Sequence, residues 1–228
     1  MLDDCASALH PSRRQYRQRL QELLKESQSG WTGADYGAGY LYQSFRQFGL
    51  RGFRKTEVRR DQMHIGEALS NKRVLEIGCN VGFLSLTLAC ETTAYVAFDN
   101  NPFLIDIASL TQKTMNSQSV TFQVADVEEF HSDQQFDVVL SFANHSTWDG
   151  NMRLTLPAYF SKIQGLLVPG GKLYFESHHP ALENAVRVEQ TLQVMQRYFT
   201  IRERRILKKG SAWDRGRTFV VATSLPTT

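Results

Sequence analysis

Hydrophobic and polar residues alternate along this chain with two periods, and the change between them divides it. Residues 12–27 have the helical period: Tyr16, Leu20, Leu23 and Leu24 fall on one stripe, with arginines and glutamates opposite. A Gly/aromatic stretch follows from 30 to 52 and holds Trp31, Tyr36, Tyr40, Tyr42, Phe45 and Phe48. From residue 73, short apolar runs alternate with amphipathic ones. The pattern predicts strands over 73–77, 94–98, 120–124, 136–142 and 172–177. It predicts helices over 82–90, 102–113 and 156–167. Asn100 or Asn101 suits the N-cap of the second helix, with Pro102 in its first turn, where a missing N–H costs nothing. The third helix is expected to begin near Pro157 and to stop at a Pro169-Gly170-Gly171 turn. The run over 136–142 is continuously apolar, as in a strand buried on both faces. Residues 198–207 and 218–223 have strand character around a Gly-containing loop, 209–216, and read as a final antiparallel pair.

Strands alternating with helices at this spacing predict a doubly wound α/β sheet, mostly parallel, with an antiparallel last strand. Residues 1–60 then form an N-terminal helical cap and 61–228 the main domain. The chain has 228 residues, 42% hydrophobic and 21% charged, which suits one well-buried domain. No apolar run approaches the roughly 20 residues of a membrane span. The opening MLDDCASALH carries two early acids and does not read as a secretion signal. Cys5, Cys79 and Cys90 are odd in number and lack metal-ligand spacing, so a reducing, cytoplasmic setting is expected rather than a disulfide framework. Net charge is only +3, but basic residues gather at 13–25, 51–60 and 197–217. Such clusters usually form a solvated face; attraction to an anionic substrate, or to nucleic acid, is the alternative.

The candidate chemistry starts at Val74-Leu75-Glu76-Ile77-Gly78-Cys79-Asn80-Val81-Gly82-Phe83, where a strand runs through a glycine turn into a helix. Gly78 and Gly82 let the backbone approach a ligand and take up positive φ. Asp99 ends the next strand, about 20 residues on, where a carboxylate can accept from both hydroxyls of a ribose diol. Asp126 ends the third strand. An acid there can accept from an exocyclic amine while the backbone at Val127 reads an adenine edge. These segments together resemble class I methyltransferases. Glu76, Gly78, Asn80 and Gly82 match that family's first motif, with Asn80 in place of its middle glycine; Asn tolerates positive φ better than most residues. Phe136-Asp137-Val138-Val139-Leu140-Ser141 resembles the fourth motif, and 167–173 the hallmark turn before strand five. The resemblance covers about 73–177 and the terminal hairpin. It implies a seven-stranded sheet and S-adenosylmethionine as methyl donor. Implied cofactor residues are Glu76, Gly78, Cys79, Gly82, Asp99, Asn100, Asp126, Val127 and Ser141. A dehydrogenase is disfavoured because its glycines fall at first, third and sixth positions.

Transfer from an activated sulfonium asks the protein mainly for alignment, with a base only where the acceptor must lose a proton. The catalytic candidates are His145 after strand four and His178 after strand five. His178 and His179 are adjacent, so at most one should face the pocket. Asn144, Trp148, Tyr36 and Tyr40, with Tyr42, are candidate acceptor contacts. Glu176 alternates with Phe175 and is read as orienting a neighbour. Arg59, with Arg54 second, is the candidate partner of the donor's methionine carboxylate. No metal site is expected, since Glu176 and the histidines lack ligand spacing. The favoured partner is a small-molecule or short-peptide acceptor, with no membrane. RNA is the alternative, through Arg202, Arg204, Arg205, Lys208, Lys209, Arg215 and Arg217, although hairpin alternation would split these between two faces. A non-catalytic cofactor-binding protein is the third reading.

Overall fold

The computed structural model describes residues 11–31, 39–146, 152–208 and 216–226. Its centre is one seven-stranded sheet: β1 (Arg73–Ile77), β2 (Ala94–Asp99), β3 (Thr121–Val124), β4 (Phe136–Phe142), β5 (Leu167–Glu176), β6 (Phe199–Leu207) and β7 (Arg217–Ser224). The spatial order is β3-β2-β1-β4-β5-β7-β6. The pairs from β3 to β5 are parallel, and β7 runs antiparallel to both β5 and β6. The order reverses between β1 and β4, so a crevice opens at their carboxyl ends, the usual ligand position in such sheets.

Alternation along each strand feeds two cores. Val74, Val138, Leu140, Tyr174 and Phe219 pack on one face. Leu75, Ile77, Val139, Leu173, Phe175 and Val220 pack on the other. The first core also takes in Tyr16, Leu20 and Leu23 of α1 (Pro11–Gly30), with Leu24 half-buried beside them, so the predicted stripe is the packed face. α1 lies against α5 (Pro102–Thr114), where the Tyr16 hydroxyl meets Thr111 Oγ1 at 2.9 Å. Between them in sequence come α2 (Thr56–Met63), the short α3 (Gly66–Leu69) and α4 (Phe83–Leu88). The second core is covered by α6 (Leu156–Leu166) and α7 (Ala185–Met195).

Local signals place most boundaries. Asn101, not Asn100, caps α5 through the Phe103 amide, with Pro102 at the first turn. Thr155 caps α6, with its proline in the first turn. Two expectations need correction. Residues 169–171 do not end before the fifth strand but lie inside β5, bulging between the Phe136–Leu167 and Val138–Lys172 pairs. The helix α7 was not expected. Among the described residues no helix is long and apolar enough to cross a membrane.

Candidate active site

The first glycine turn forms the floor of the crevice. Gly78, Asn80 and Gly82 all have positive φ, at 69°, 56° and 70°. Asn therefore occupies the left-handed position that the sequence pattern assigns to a glycine. The three do different work. At Gly78 a Cβ would stand 2.9 Å from the Asn144 side chain, beside the crevice. At Gly82 it would stand 2.6 Å from the Phe122 ring and 2.8 Å from Ala108. Gly82 thus lets α4, β3 and α5 approach, and neither it nor Cys79, which is buried, lines the cleft. Gly82→Ala should cost about 2–4 kcal/mol in urea unfolding, from positive-φ strain plus forced repacking. Loss of S-adenosylhomocysteine binding with unchanged stability would contradict this packing role.

The cleft has an empty volume of about 1150 Å³, including its open mouth. Gly78 lines its middle, and Asp99, Asn100, Asp126 and Val127 line the end toward β2 and β3. Asp99 is fixed from both sides: Asn80 N–H donates to Oδ2 at 2.8 Å and Asn101 N–H to Oδ1 at 3.1 Å. Burial raises its pKa, and these amides oppose the rise. A carboxylate has about four acceptor positions, so Asp99 keeps acceptor capacity for a ligand hydroxyl. Glu76 also lines the cleft, but its Oε2 accepts from Ser85 Oγ at 2.6 Å and Tyr95 OH at 2.7 Å.

Asn144 sits where β1 and β4 diverge. Its amide donates to the Ile77 carbonyl, and its Oδ1 accepts from Ser141 Oγ and Tyr159 OH, each at 2.8 Å. Ser141 is therefore buried behind the cleft wall and holds Asn144. Ala143 between them has φ 59°, a strained value for a residue with a Cβ, of the kind that collects at functional sites.

The far end is built around Glu176, which is 0% exposed. Its Oε1 accepts from Arg54 at 2.8 Å and Arg217 at 3.2 Å; its Oε2 accepts from Arg59 Nε at 2.9 Å, with Arg59 Nη2 at ion-pair distance, 2.8 Å. Burial alone would raise this carboxyl, but Arg59, Arg54 and Arg217 hold it down to about 2. Arg59 lines the cleft, yet its two donors point at Glu176, a partner the sequence pattern did not assign to it. Arg217 also binds Tyr42 OH, at 3.0 Å, and lines the cleft. It was grouped with the exposed basic residues because its position in the hairpin says nothing of the Glu176 opposite.

His145 and His178 come together, with ring centroids 4.7 Å apart. His178 lines this cleft and an adjoining pocket; His145 lines the adjoining pocket alone. The half-buried His179 lines neither. His145 Nε2 meets Glu183 Oε1 at 3.0 Å, and Glu183 Oε2 accepts the His178 amide at 2.9 Å. Burial, then His145, pull His178 down to about 3. Burial would raise Glu183, but the hydrogen bond from His145 and nearby charges hold it at about 2. All of these depressed values give the same sign. Below its unfolded value of about 6.5, His178 takes up a proton only when the chain unfolds. Glu176 and Glu183 add to the loss below about pH 4.3, their unfolded value. Stability should therefore begin to fall near pH 6.5, by about 2 kcal/mol at pH 5 from His178 alone, and fall further toward pH 2. His178→Gln should flatten the segment between pH 6.5 and 5 in melting experiments. A stability curve level down to pH 5 would contradict the burial of a neutral His178.

Tyr40 is 40% exposed and does not line the cleft; Tyr42 does. Tyr36 and Trp148 lie outside the described residues. Sequence reasoning missed Gln43, which donates to the Cys79 carbonyl at 3.1 Å and accepts the Leu84 amide at 3.1 Å, clasping the glycine turn. It also missed Glu183. No local pattern marks either. Among the described residues no three His, Cys, Asp or Glu side chains are grouped to hold a metal. Of the basic residues considered for RNA, Arg204 is paired with Glu189, and Arg205 binds Glu203 and the Met63 carbonyl.

Residues 68–214 match the family described as Methyltransferase domain. The chain is 28% identical over 106 residues to malonyl-[acyl-carrier protein] O-methyltransferase 1 of Ilyobacter polytropus, covering 46% of this chain and 37% of that protein. It is 28% identical over 110 residues to a ubiquinone biosynthesis O-methyltransferase of Coxiella burnetii, covering 48% and 44%. The matches thus span less than half the length of these curated relatives. Among solved structures, the N-methyltransferase NodS of Bradyrhizobium japonicum, in complex with S-adenosyl-L-homocysteine, aligns with a TM-score of 0.63 at 18% identity, over 90% of this chain and 98% of that one. The match covers more than half of the chain, and the seven-stranded sheet with its antiparallel β7 agrees with it: this protein belongs to the methyltransferase-domain family and has the class I fold of S-adenosylmethionine-dependent methyltransferases.

Proposed function

We propose that this protein transfers a methyl group from S-adenosylmethionine to a small-molecule or short-peptide acceptor, bound between the N-terminal cap, residues 1–60, and the carboxyl ends of the strands of 61–228. The observation that carries this reading is the polarity of the cleft. Two acids, Asp99 and Asp126, line one end, and guanidinium and imidazole groups line the other, with Gly78 and Asn144 between them.

In this reading Asp99 holds the ribose diol, with Asn100 beside it. Asp126 and Val127 receive the adenine edge. The Gly78 turn, clasped by Gln43, leaves room for the amino-acid portion. The donor supplies an activated methyl group for in-line displacement. The chain's own part is alignment and exclusion of water. Asn144, locked by Ser141 and Tyr159, shapes the wall between donor and acceptor. His178 stays neutral near pH 7 and can accept a hydrogen bond from the acceptor through Nε2. His145, bonded to Glu183, packs behind it and fixes its ring. Trp31 and Tyr42 close the acceptor side from the cap. The curated relatives are named for a malonyl-acyl carrier and for ubiquinone biosynthesis, which agrees with a small acceptor. The pairing of Arg204, Arg205 and Arg217 leaves fewer free charges for an RNA backbone than their number suggests.

Methyl-labelled S-adenosylmethionine, incubated with the protein and a cell extract, tests the reading. Label is expected in small, nuclease-resistant products. Label removed by ribonuclease, or no transfer by a protein that binds the donor, would contradict it.

A further inference from the structure

Counting charge around Glu176 reveals an imbalance. Arg54, Arg59 and Arg217 are 6%, 8% and 8% exposed, and a single carboxylate faces all three. Glu176 accepts three guanidinium hydrogen bonds, two on Oε1 and one on Oε2, where Arg59 Nη2 also stands at ion-pair distance. Among the described residues the cluster therefore carries a net surplus of two buried positive charges. Burial, together with Arg54 and Arg217, weakens Arg59's hold on its proton despite Glu176. The Tyr42 phenol responds in the opposite sense: burial would raise it, yet Arg217, Arg54 and Arg59 bring it below its ordinary range. Surplus charge in a poorly hydrated place is costly, and an arriving anion relieves the cost.

The donors for such an anion are present. Arg217 Nε is buried without a hydrogen-bond partner, and Arg217 lines the cleft close enough to His178 to depress it. Arg59 lines the same end and lies over the Phe142 ring, 5.0 Å from its centroid, at the end of β4. Strand order separates this end from the acids. Asp99 and Asp126 follow β2 and β3, whereas Glu176 ends β5 and Arg217 begins β7, across the switch point.

We infer that the Arg217–Arg59–Tyr42 end of the cleft is an anion subsite for the acceptor, which carries a carboxylate or phosphate group received there. The inference rests on the methyl-transfer reading, and it narrows the acceptor to an anionic one. Guanidinium groups suit it because their forked donors match both anions.

The rival occupant is the donor's own carboxylate, and the experiment separates the two. Calorimetry measures acetate and inorganic phosphate binding to protein saturated with S-adenosylhomocysteine. It also measures S-adenosylhomocysteine and 5′-methylthioadenosine, which lacks the amino-acid group, on the wild type and on Arg217→Gln. The expected result is measurable anion binding to the loaded wild type, weakened about tenfold or more in Arg217→Gln, with both nucleosides unaffected by the substitution. Tighter acetate points to a carboxylate on the acceptor; tighter phosphate points to a phosphorylated one. Because Arg217→Gln removes a buried ion pair and can disturb folding, Tyr42→Phe serves as a second variant. It keeps every guanidinium, frees Arg217 Nη2 and should also shift anion affinity. Loss of S-adenosylhomocysteine affinity with 5′-methylthioadenosine unchanged would overturn the inference in favour of the donor carboxylate. Equal anion binding in wild type and both variants, or none, would also overturn it. If the wild type bound neither nucleoside, the methyl-transfer reading itself would fail, whatever the anions did.

Discussion

Glu176→Gln should destabilise the fold by about 3–5 kcal/mol, the scale for breaking a buried ion pair by removing one partner. The substitution preserves volume, so no cavity contributes. It leaves three buried guanidinium groups facing a neutral amide, and the amide NH₂ points a donor at donors. The strain reaches well beyond β5, because Arg54 and Arg59 come from the cap and α2 while Arg217 comes from β7. One carboxylate therefore ties the N-terminal segment to the end of the sheet where β5 finishes and β7 starts. Denaturant unfolding reads the loss directly. Adding Arg54→Met should restore part of it, since the double variant carries one fewer unpaired charge and the two positions are in contact. A cost below about 1 kcal/mol for Glu176→Gln would mean that the three ion pairs do not hold the cap.

The second large effect falls at the opposite end. Asp99→Ala should weaken S-adenosylhomocysteine binding by about 1.5–3 kcal/mol, the scale of hydrogen bonds to a charged group. The same carboxylate also receives the Asn80 and Asn101 amides, so the variant loosens the glycine turn as well as the diol contact. Asp99→Asn separates these contributions. It keeps the size and one acceptor oxygen but no longer has charge to offer, so it should fall between wild type and Ala in affinity. Unchanged affinity in Asp99→Ala, measured by calorimetry, would remove the ribose role from this residue.

What was legible in the sequence follows from the range of the forces involved. The parallel sheet shows because its central strands β1 and β4 are buried and mainly apolar on both faces, and α5 and α6 show because Asn101, Thr155 and the prolines are local signals. The glycine turn and Asp99 are legible because the positive-φ positions and the carboxylate that accepts the Asn80 amide stand at a fixed separation in sequence. The stretch 169–171 misleads, since the same Pro-Gly-Gly chemistry serves a turn or a bulge, and pairing of β5 with β4 decides between them. In α2 the buried positions are Thr56, Arg59 and Met63, so an apolar stripe is nearly absent and the arginine passes for a surface residue. In α7 the stripe Val188, Thr191, Leu192 and Met195 is regular, but it includes a threonine and follows a histidine-rich loop. The cap contacts are the least legible. Gln43 and the Glu176 cluster depend on pairs more than 30 residues apart in sequence, and no local pattern specifies them.

The most direct measurement is a crystal structure of the chain grown with S-adenosylhomocysteine. The account predicts the ribose on Asp99, the adenine edge at Asp126 and Val127, and the sulfur facing the Asn144–His178 side of the cleft. A nucleoside bound with its ribose at the arginine end, or outside this cleft, would contradict it.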